Sequence, residues 1–238
     1  MTEILSQTIE WLKQAEGELA PEMVFACSFG AEDVVLVDLI AKHAPSIQIV
    51  TLDTGRLPQQ TYDVMDACRD KYGLDIAVYF PDVSDVEVMV REVGVNLFYH
   101  SLENRKRCCE VRKIRPLKRA LEGAKGWVTG LRREQSVSRT EMQPIEDDKA
   151  FGIKKFNPLI EWSEKDVWNY IRSNDVPYNK LHDQFYPSIG CAPCTRSVTM
   201  GEDPRSGRWW WENEDAVAEC GLHVSPLKLP NGQNGDGI

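Results

Sequence analysis

Two cysteines stand side by side in RKRCCEVRK (105–113), inside a run of positive charge. Adjacent cysteines are poorly placed to bond one another, because a disulfide needs a specific Cβ geometry. A second pair follows in GCAPCT (190–195), where Cys191 and Cys194 form a C-x-x-C held in a tight turn by Gly190 and Pro193. Cys108, Cys109, Cys191 and Cys194 together offer four thiolates, a set suited to zinc or to a 4Fe–4S cluster. Alone, the C-x-x-C would serve equally as a redox disulfide or as half of a zinc knuckle. Zinc sites usually take two spaced pairs, whereas adjacent ligands suit different irons of a cube, so the pattern favours the cluster.

The cations around the first pair point to an anion. Residues 105–119 hold eight Arg or Lys and one acid, Glu110, in a chain whose net charge is −9. A solvated basic helix face is the plain reading of such a run, and the embedded cysteines shift it toward an anionic ligand or cofactor. Lys113 follows Cys109 by four residues, so on a helix the two share a face. GLRREQSVSRT (130–140) places Arg132, Arg133, Gln135 and Arg139 in a loop after a strand, and DPRSGRWWWE (203–212) adds Arg205 and Arg208 beside three tryptophans. Paired arginines hold phosphate or sulfate oxygens bidentately. AECGLH (218–223) sets Cys220 three residues before His223. A cysteine near cations is a candidate nucleophile, because positive surroundings favour its thiolate. Cys27 and Cys68, in an apolar strand and a helix, read as structural.

These residues need a scaffold, and the hydrophobic pattern supplies one. Strands are expected at 23–29, 47–53, 74–80 and 126–131. Helices are expected at 3–15, from Glu32 to about His43, from Pro58, at 84–93 with Ser84 as cap, and at 163–174 with Ser163 as cap. Alternating strands and helices indicate a doubly wound, mainly parallel α/β sheet with helices on both faces. Ligands of such sheets bind beyond the carboxyl ends of the strands. SFGAED (28–33) follows the first strand and opens a helix, so Ser28, Phe29 and Gly30 would offer backbone N–H groups to an anion. LDTGRL (52–57) follows the second, where Leu52, Asp53, Thr54, Gly55 and Arg56 form a turn able to hold a nucleotide.

Composition sets outer bounds. An apolar fraction of 42% over 238 residues supports one domain, expected over 1–215, with residues 216–238 as a flexible C-terminal segment. No apolar run approaches the ~18 residues of a membrane helix. MTEILSQTIEW lacks the features of a secretory signal, and seven cysteines in such a chain suit a reducing, cytoplasmic setting. The acidic balance argues against nucleic acid as partner.

In their order along residues 22–223, SFGAED, LDTGRL, CCEVRK, GLRREQSVSR, GCAPCTR, GRWWWE and ECGLH resemble the iron–sulfur branch of the adenylyl-sulfate (APS) and phosphoadenylyl-sulfate (PAPS) reductase family. The resemblance implies a sheet related to the ATP pyrophosphatases, with SFGAED as a modified phosphate loop and LDTGRL as the nucleoside-binding turn. It implies that Cys108, Cys109, Cys191 and Cys194 ligate one 4Fe–4S cluster and that Cys220 is the nucleophile. Lys113, Arg139, Arg205, Arg208 and His223 match positions around the phosphosulfate. The implied reaction is thioredoxin-dependent reduction of APS to sulfite and AMP, through an S-sulfonate on Cys220, for sulfate assimilation and cysteine biosynthesis. The acidic AED departs from the loop of true ATP pyrophosphatases and weighs against ATP hydrolysis. Other readings are the same reaction on PAPS, an adenylating sulfur-transfer enzyme, and a zinc-binding interaction protein. A homo-oligomer, dimer or tetramer, is compatible with all of them.

Overall fold

A computed structural model describes residues 2–135 and 141–212. The elements run α1 (Thr2–Leu19), β1 (Met23–Cys27), α2 (Ala31–His43), β2 (Gln48–Leu52), α3 (Gln59–Tyr72), β3 (Ile76–Tyr79), α4 (Val83–Val93), α5 (Leu102–Cys109), α6 (Arg115–Ala120), β4 (Gly126–Val128), β5 (Ile145–Asp148), β6 (Ile153–Phe156) and α7 (Glu164–Ser173). The six strands make one sheet in the order β3-β2-β1-β4-β6-β5. All neighbours are parallel except β5 and β6. The doubly wound, mainly parallel fold read from the sequence is therefore present, and the order reverses beside β1. β1 lies between β2 and β4, which makes its carboxyl end the switch point where such sheets open a crevice.

Alternation along β1 sends its residues to two cores. Met23, Phe25 and Cys27 join a core built with Leu12 of α1, the apolar length of α2, Val64 and Cys68 of α3, and Val167 and Ile171 of α7. Val24 faces the other way, toward Val50, Trp127 and Leu117 of α6. Each such side chain, fully buried, stabilises the fold by roughly 1.5–3 kcal/mol. Helix α2 is buried along most of its length, as its near-continuous apolar sequence requires. A third, smaller core joins Met89, Leu97, Phe98, Val111 and Trp209 to the cysteine segments.

Local chemistry decides several boundaries. Ser163 caps α7 with a reciprocal capping box to Asp166, as expected. At α4 the cap is Asp82 rather than Ser84, because its carboxylate accepts from the Ser84 and Asp85 N–H groups. Pro58 sits at the cap of α3, one position before the helix it was expected to begin. Strands β5 and β6 are additional to the four expected. Their sequences, IEDD and IKKF, hold few strand-forming residues. They pair through opposite charges, with Lys154 Nζ 2.7 Å from Asp147 and Lys155 Nζ 3.2 Å from Glu146. No described helix is long and apolar enough to cross a membrane.

One buried acid ties three helices together. Asp38 of α2 is fully enclosed and accepts from the Tyr72 hydroxyl of α3 at 2.8 Å, the Tyr170 hydroxyl of α7 at 2.6 Å and Lys42 Nζ at 2.8 Å. Burial, with the Asp38 charge, pushes both phenols well above their usual range. Removing the acceptor leaves two inward hydroxyls unpaired, each costing about 1–3 kcal/mol. Asp38→Ala should therefore lower the unfolding free energy by about 3 kcal/mol in urea titration. A loss below about 1 kcal/mol, the worth of an exposed ion pair, would show the cluster to be idle.

Candidate active site

The basic cysteine segment folds as one interrupted helical run. Ser101 caps α5 by accepting from Asn104 N–H. After Cys109 the chain passes into a π-helical turn over Glu110–Ile114, and the Arg115 N–H reaches back five residues to the Glu110 carbonyl. Pro116 supplies the local cause: it has no N–H to continue an α ladder, and its ring clashes with the carbonyl four residues before it. The α geometry resumes at Arg115. The four-residue face assumed for Cys109 and Lys113 is thus replaced by a wider turn. Such π turns recur at functional sites.

The C-x-x-C turn is clamped opposite this helix. Ala192 N–H donates to Arg56 O at 2.8 Å, Tyr99 OH donates to Pro193 O at 2.8 Å, and Trp209 N–H donates to Cys194 O at 3.3 Å. Gly190 takes an ordinary backbone conformation; its need is space, since a Cβ there would lie 2.2 Å from Arg208 Nη2. Cys108, Cys109, Cys191 and Cys194 all border one small cavity, together with Arg56, Arg105, Arg112 and Lys113. Arg105 is buried, chelates Glu212 at 2.8 and 2.9 Å, and stacks 4.5 Å from the Trp209 ring. Arg112 Nη1 donates to Thr54 O at 2.6 Å, and Thr54 Oγ1 lies 3.2 Å from Cys191 Sγ.

The thiols strain against one another. Burial, then the charges of Cys191 and Cys109, pushes Cys194 up to about 12, with Arg208 opposing. Burial also raises Cys108, against the pull of Arg112 and Arg56. A positive centre among the four cysteines would favour their thiolates, and an iron–sulfur group would supply one. Among the described residues no three His, Cys, Asp or Glu side chains converge to hold a single metal ion. The donor set fits a polynuclear group whose irons each take one thiolate.

Beside this cavity opens a cleft of about 770 Å³ at the carboxyl ends of β1, β2 and β4. It is lined by Ser28, Gly30, Leu52, Thr54, Arg132, Gln135, Arg205 and Arg208, all singled out from the sequence. Lys113 borders both cavities. Phe29 does not line the cleft. It holds a left-handed φ of 58° with its ring in the core, which turns the chain between β1 and α2. Asp53 and Gly55 are likewise outside the lining: the Asp53 carboxylate accepts from Gly55 N–H at 2.7 Å and from the Tyr62 hydroxyl at 2.9 Å, shaping the turn. Arg56 reaches the cysteine cavity instead of the cleft. Arg132 faces the cleft but is bound through Nε to Glu32 at 2.8 Å, so its charge is answered within the wall. Arg133 turns to Glu161. Arg139, Cys220, His223 and the segment 216–238 lie outside the described residues. Cys27 and Cys68 are buried, and burial raises both thiols.

Asp33, Glu32, Trp168, Arg172 and His182 also line the cleft. Asp33 stood in the quoted SFGAED, yet only the fold shows its position. Its carboxylate accepts from Ser28 N–H at 2.5 Å and Ser28 Oγ at 2.7 Å. A Cβ on Gly130 would lie 2.1 Å from Asp33 Oδ1, so that position admits only glycine without movement. His182 packs edge-on against Trp168 at 5.1 Å, and burial lowers its pKa.

Residues 22–197 match the phosphoadenosine phosphosulfate reductase domain family. The chain belongs to that family. It is 53% identical over 215 residues to the adenosine 5′-phosphosulfate reductase of Allochromatium vinosum, covering 90% of this chain and 83% of the relative. Among solved structures it is similar to the PAPS reductase of Candida auris in a phosphate complex, at 29% identity and a TM-score of 0.63 over 80% of this chain and 96% of that one. Yeast FAD synthetase in complex with FAD shares the fold alone, at 15% identity and a TM-score of 0.58 over 82% and 66% of the two chains.

Burial drives the Asp33 carboxyl up to about 6, against the two Ser28 hydrogen bonds and with Glu32 adding to the rise. Between its ordinary value near 3.8 and about 6 the folded chain binds this proton more tightly than the unfolded chain does. Stability is therefore lost as pH rises through that window, by on the order of 3 kcal/mol in full. Asp33→Asn removes the charge, so its melting temperature should gain on the wild type as pH rises from 3.8 to about 6. Parallel pH profiles would show Asp33 to be ordinarily solvated.

Proposed function

We propose that this protein reduces adenosine 5′-phosphosulfate to sulfite and AMP, drawing two electrons from a dithiol of the thioredoxin class. The observation that carries the reading is the 53% identity, over nine-tenths of the chain, to an enzyme of that name. The site is consistent with it: a nucleotide-sized cleft at the switch point adjoins a four-cysteine cavity, with Lys113 bordering both. The 29% identity to a PAPS reductase favours the shorter nucleotide by comparison. Cysteine usage suits a reducing, cytoplasmic setting, and the reaction would serve sulfate assimilation.

The adenosine end would lie against the Leu52 and Thr54 turn and the Ser28–Gly30 loop, and the phosphosulfate toward Lys113, Arg205 and Arg208. Cys220, assigned by its sequence neighbourhood, attacks the sulfur as a thiolate. The S–O bond to the phosphate breaks, AMP leaves with the bonding pair, and Cys220 carries an S-sulfonate. A thiolate of the dithiol then attacks the Cys220 sulfur and sulfite departs. The second thiol resolves the mixed disulfide, returning Cys220 as a thiol. Lys113 and the arginines offset charge on the sulfate oxygens and on the departing phosphate. Cys108, Cys109, Cys191 and Cys194 would hold a 4Fe–4S cluster. When bound, it supplies a charged inorganic centre beside Lys113, and the dithiol supplies both electrons.

Three measurements test the scheme. Mixed with APS and no reductant, the wild type should gain one sulfonate on the peptide containing Cys220, and thioredoxin should discharge it as sulfite. PAPS should react far more slowly, because an extra buried phosphate without a cationic partner is costly. Normal turnover by Cys220→Ser, or equal kcat/KM for the two nucleotides, would overturn the respective assignment. Lys113→Ala should keep its iron yet lose about 10²–10³ in kcat/KM, the worth of one charge-assisted contact in the transition state. A loss under about tenfold would reduce Lys113 to a solvated lysine.

A further inference from the structure

We propose that Arg56 is a hydrogen-bond donor to the sulfur atoms of the cluster, and that its work is to hold and tune that group rather than to bind nucleotide. The proposal rests on the reading that the four cysteines carry a 4Fe–4S cluster. Arg56 borders the cavity shared by the four cysteines and has no part in the lining of the cleft. Its guanidinium is fixed on the far side: Nη2 donates to Val95 O and to Asn96 Oδ1, each at 2.8 Å, and the plane packs 5.2 Å from the centre of the Phe98 ring.

Its backbone is tied to the cysteine segments as well. Arg56 O accepts Ala192 N–H from within the C-x-x-C turn. Arg56 N–H donates to Thr54 Oγ1 at 3.2 Å, the same hydroxyl that touches Cys191 Sγ. The residue is therefore placed by five contacts, and none of its hydrogen bonds uses Nε. That Nε–H is closed off from solvent and has no acceptor among the described residues. A buried donor left unmade costs about 1–3 kcal/mol, and native structures keep few of them. The cluster's sulfides and thiolate sulfurs would bring acceptors to the cavity that Arg56 borders. N–H donors to sulfur draw electron density from an iron–sulfur centre and raise its potential.

The rival role for Arg56 is mechanical: a clamp on the 95–96 turn that never meets the cluster. Resonance Raman spectra of the anaerobic holoenzyme in H2O and D2O separate the two, with iron and sulfide assayed on the same samples. The Fe–S stretching bands of the wild type should shift on deuteration. Arg56→Met should lose part of that shift and lose iron to a chelator about tenfold faster, as outer-shell partners do when removed. Should the methionine variant fold poorly, Arg56→Leu also lacks the Nε–H, brings no other donor and should show the same loss of isotope sensitivity. The Kd for AMP, read by calorimetry, should stay at the wild-type value in both. Unchanged isotope shifts and iron loss in the variants would leave Arg56 a clamp and overturn the proposal. A weakened AMP affinity with unaltered bands would overturn it in favour of a nucleotide contact. A wild type that purifies without iron and sulfide would instead overturn the cluster reading itself, and this proposal with it.

Discussion

The gathering of four cysteines at one small cavity, where burial and then mutual repulsion oppose ionisation of Cys194, is the constraint around which this end of the molecule is arranged. Burial disfavours the ionised form of Cys108 and of Cys194. Cys194 is driven to about 12 by burial and by its neighbours. Cations answer the repulsion from several directions: Arg112 and Arg56 beside Cys108, Arg208 toward Cys194, and Lys113 at the mouth of the cleft. Of the basic run 105–119, Arg105, Arg112 and Lys113 border the cysteine cavity, whereas Arg107, Arg115 and Lys118 pair with acids at the surface. Lys113 borders the cysteine cavity and the cleft alike, so its charge is shared between them.

The helix that carries the first cysteine pair shows how a single residue sets a site. Pro116 denies the ladder an N–H, the preceding five residues widen into a π turn, and Lys113 lies in that turn, bordering both cavities. Opposite it, the C-x-x-C turn has little regular structure of its own. Its position comes from contacts to Arg56, Tyr99 and Trp209, which lie far apart in sequence. Trp209 is sandwiched between Arg105 and Arg208, which joins packing and electrostatics in one layer.

Much of this could be read from the sequence, and the failures have local causes. The central strands announced themselves as apolar runs, and the loops at their carboxyl ends carried small and polar residues where a parallel sheet binds its ligand. The β5–β6 pair stayed hidden because IEDD and IKKF are held by cross-strand charge rather than by apolar alternation. Arg56 was grouped with its turn, yet its side chain reaches Val95 and Asn96, some forty residues onward, which no local pattern encodes. Arg132 was legible as a cleft arginine, whereas its pairing with Glu32, a hundred residues away in sequence, was not. The Pro116 signal for the π turn was present in the sequence, and only the backbone shows what it does.

The charged ladder of β5 has a consequence for how copies of the chain can meet. An outermost strand offers unpaired backbone groups, and neutral, apolar edges recruit further strands from other molecules. Here the rim carries three acids in four residues, Glu146, Asp147 and Asp148, short enough and polar enough that a second sheet gains little by zipping onto it. Self-association through strand addition is discouraged on that side. Copies that do meet on that side would do so through helices or loops, where shape rather than backbone pairing selects the neighbour.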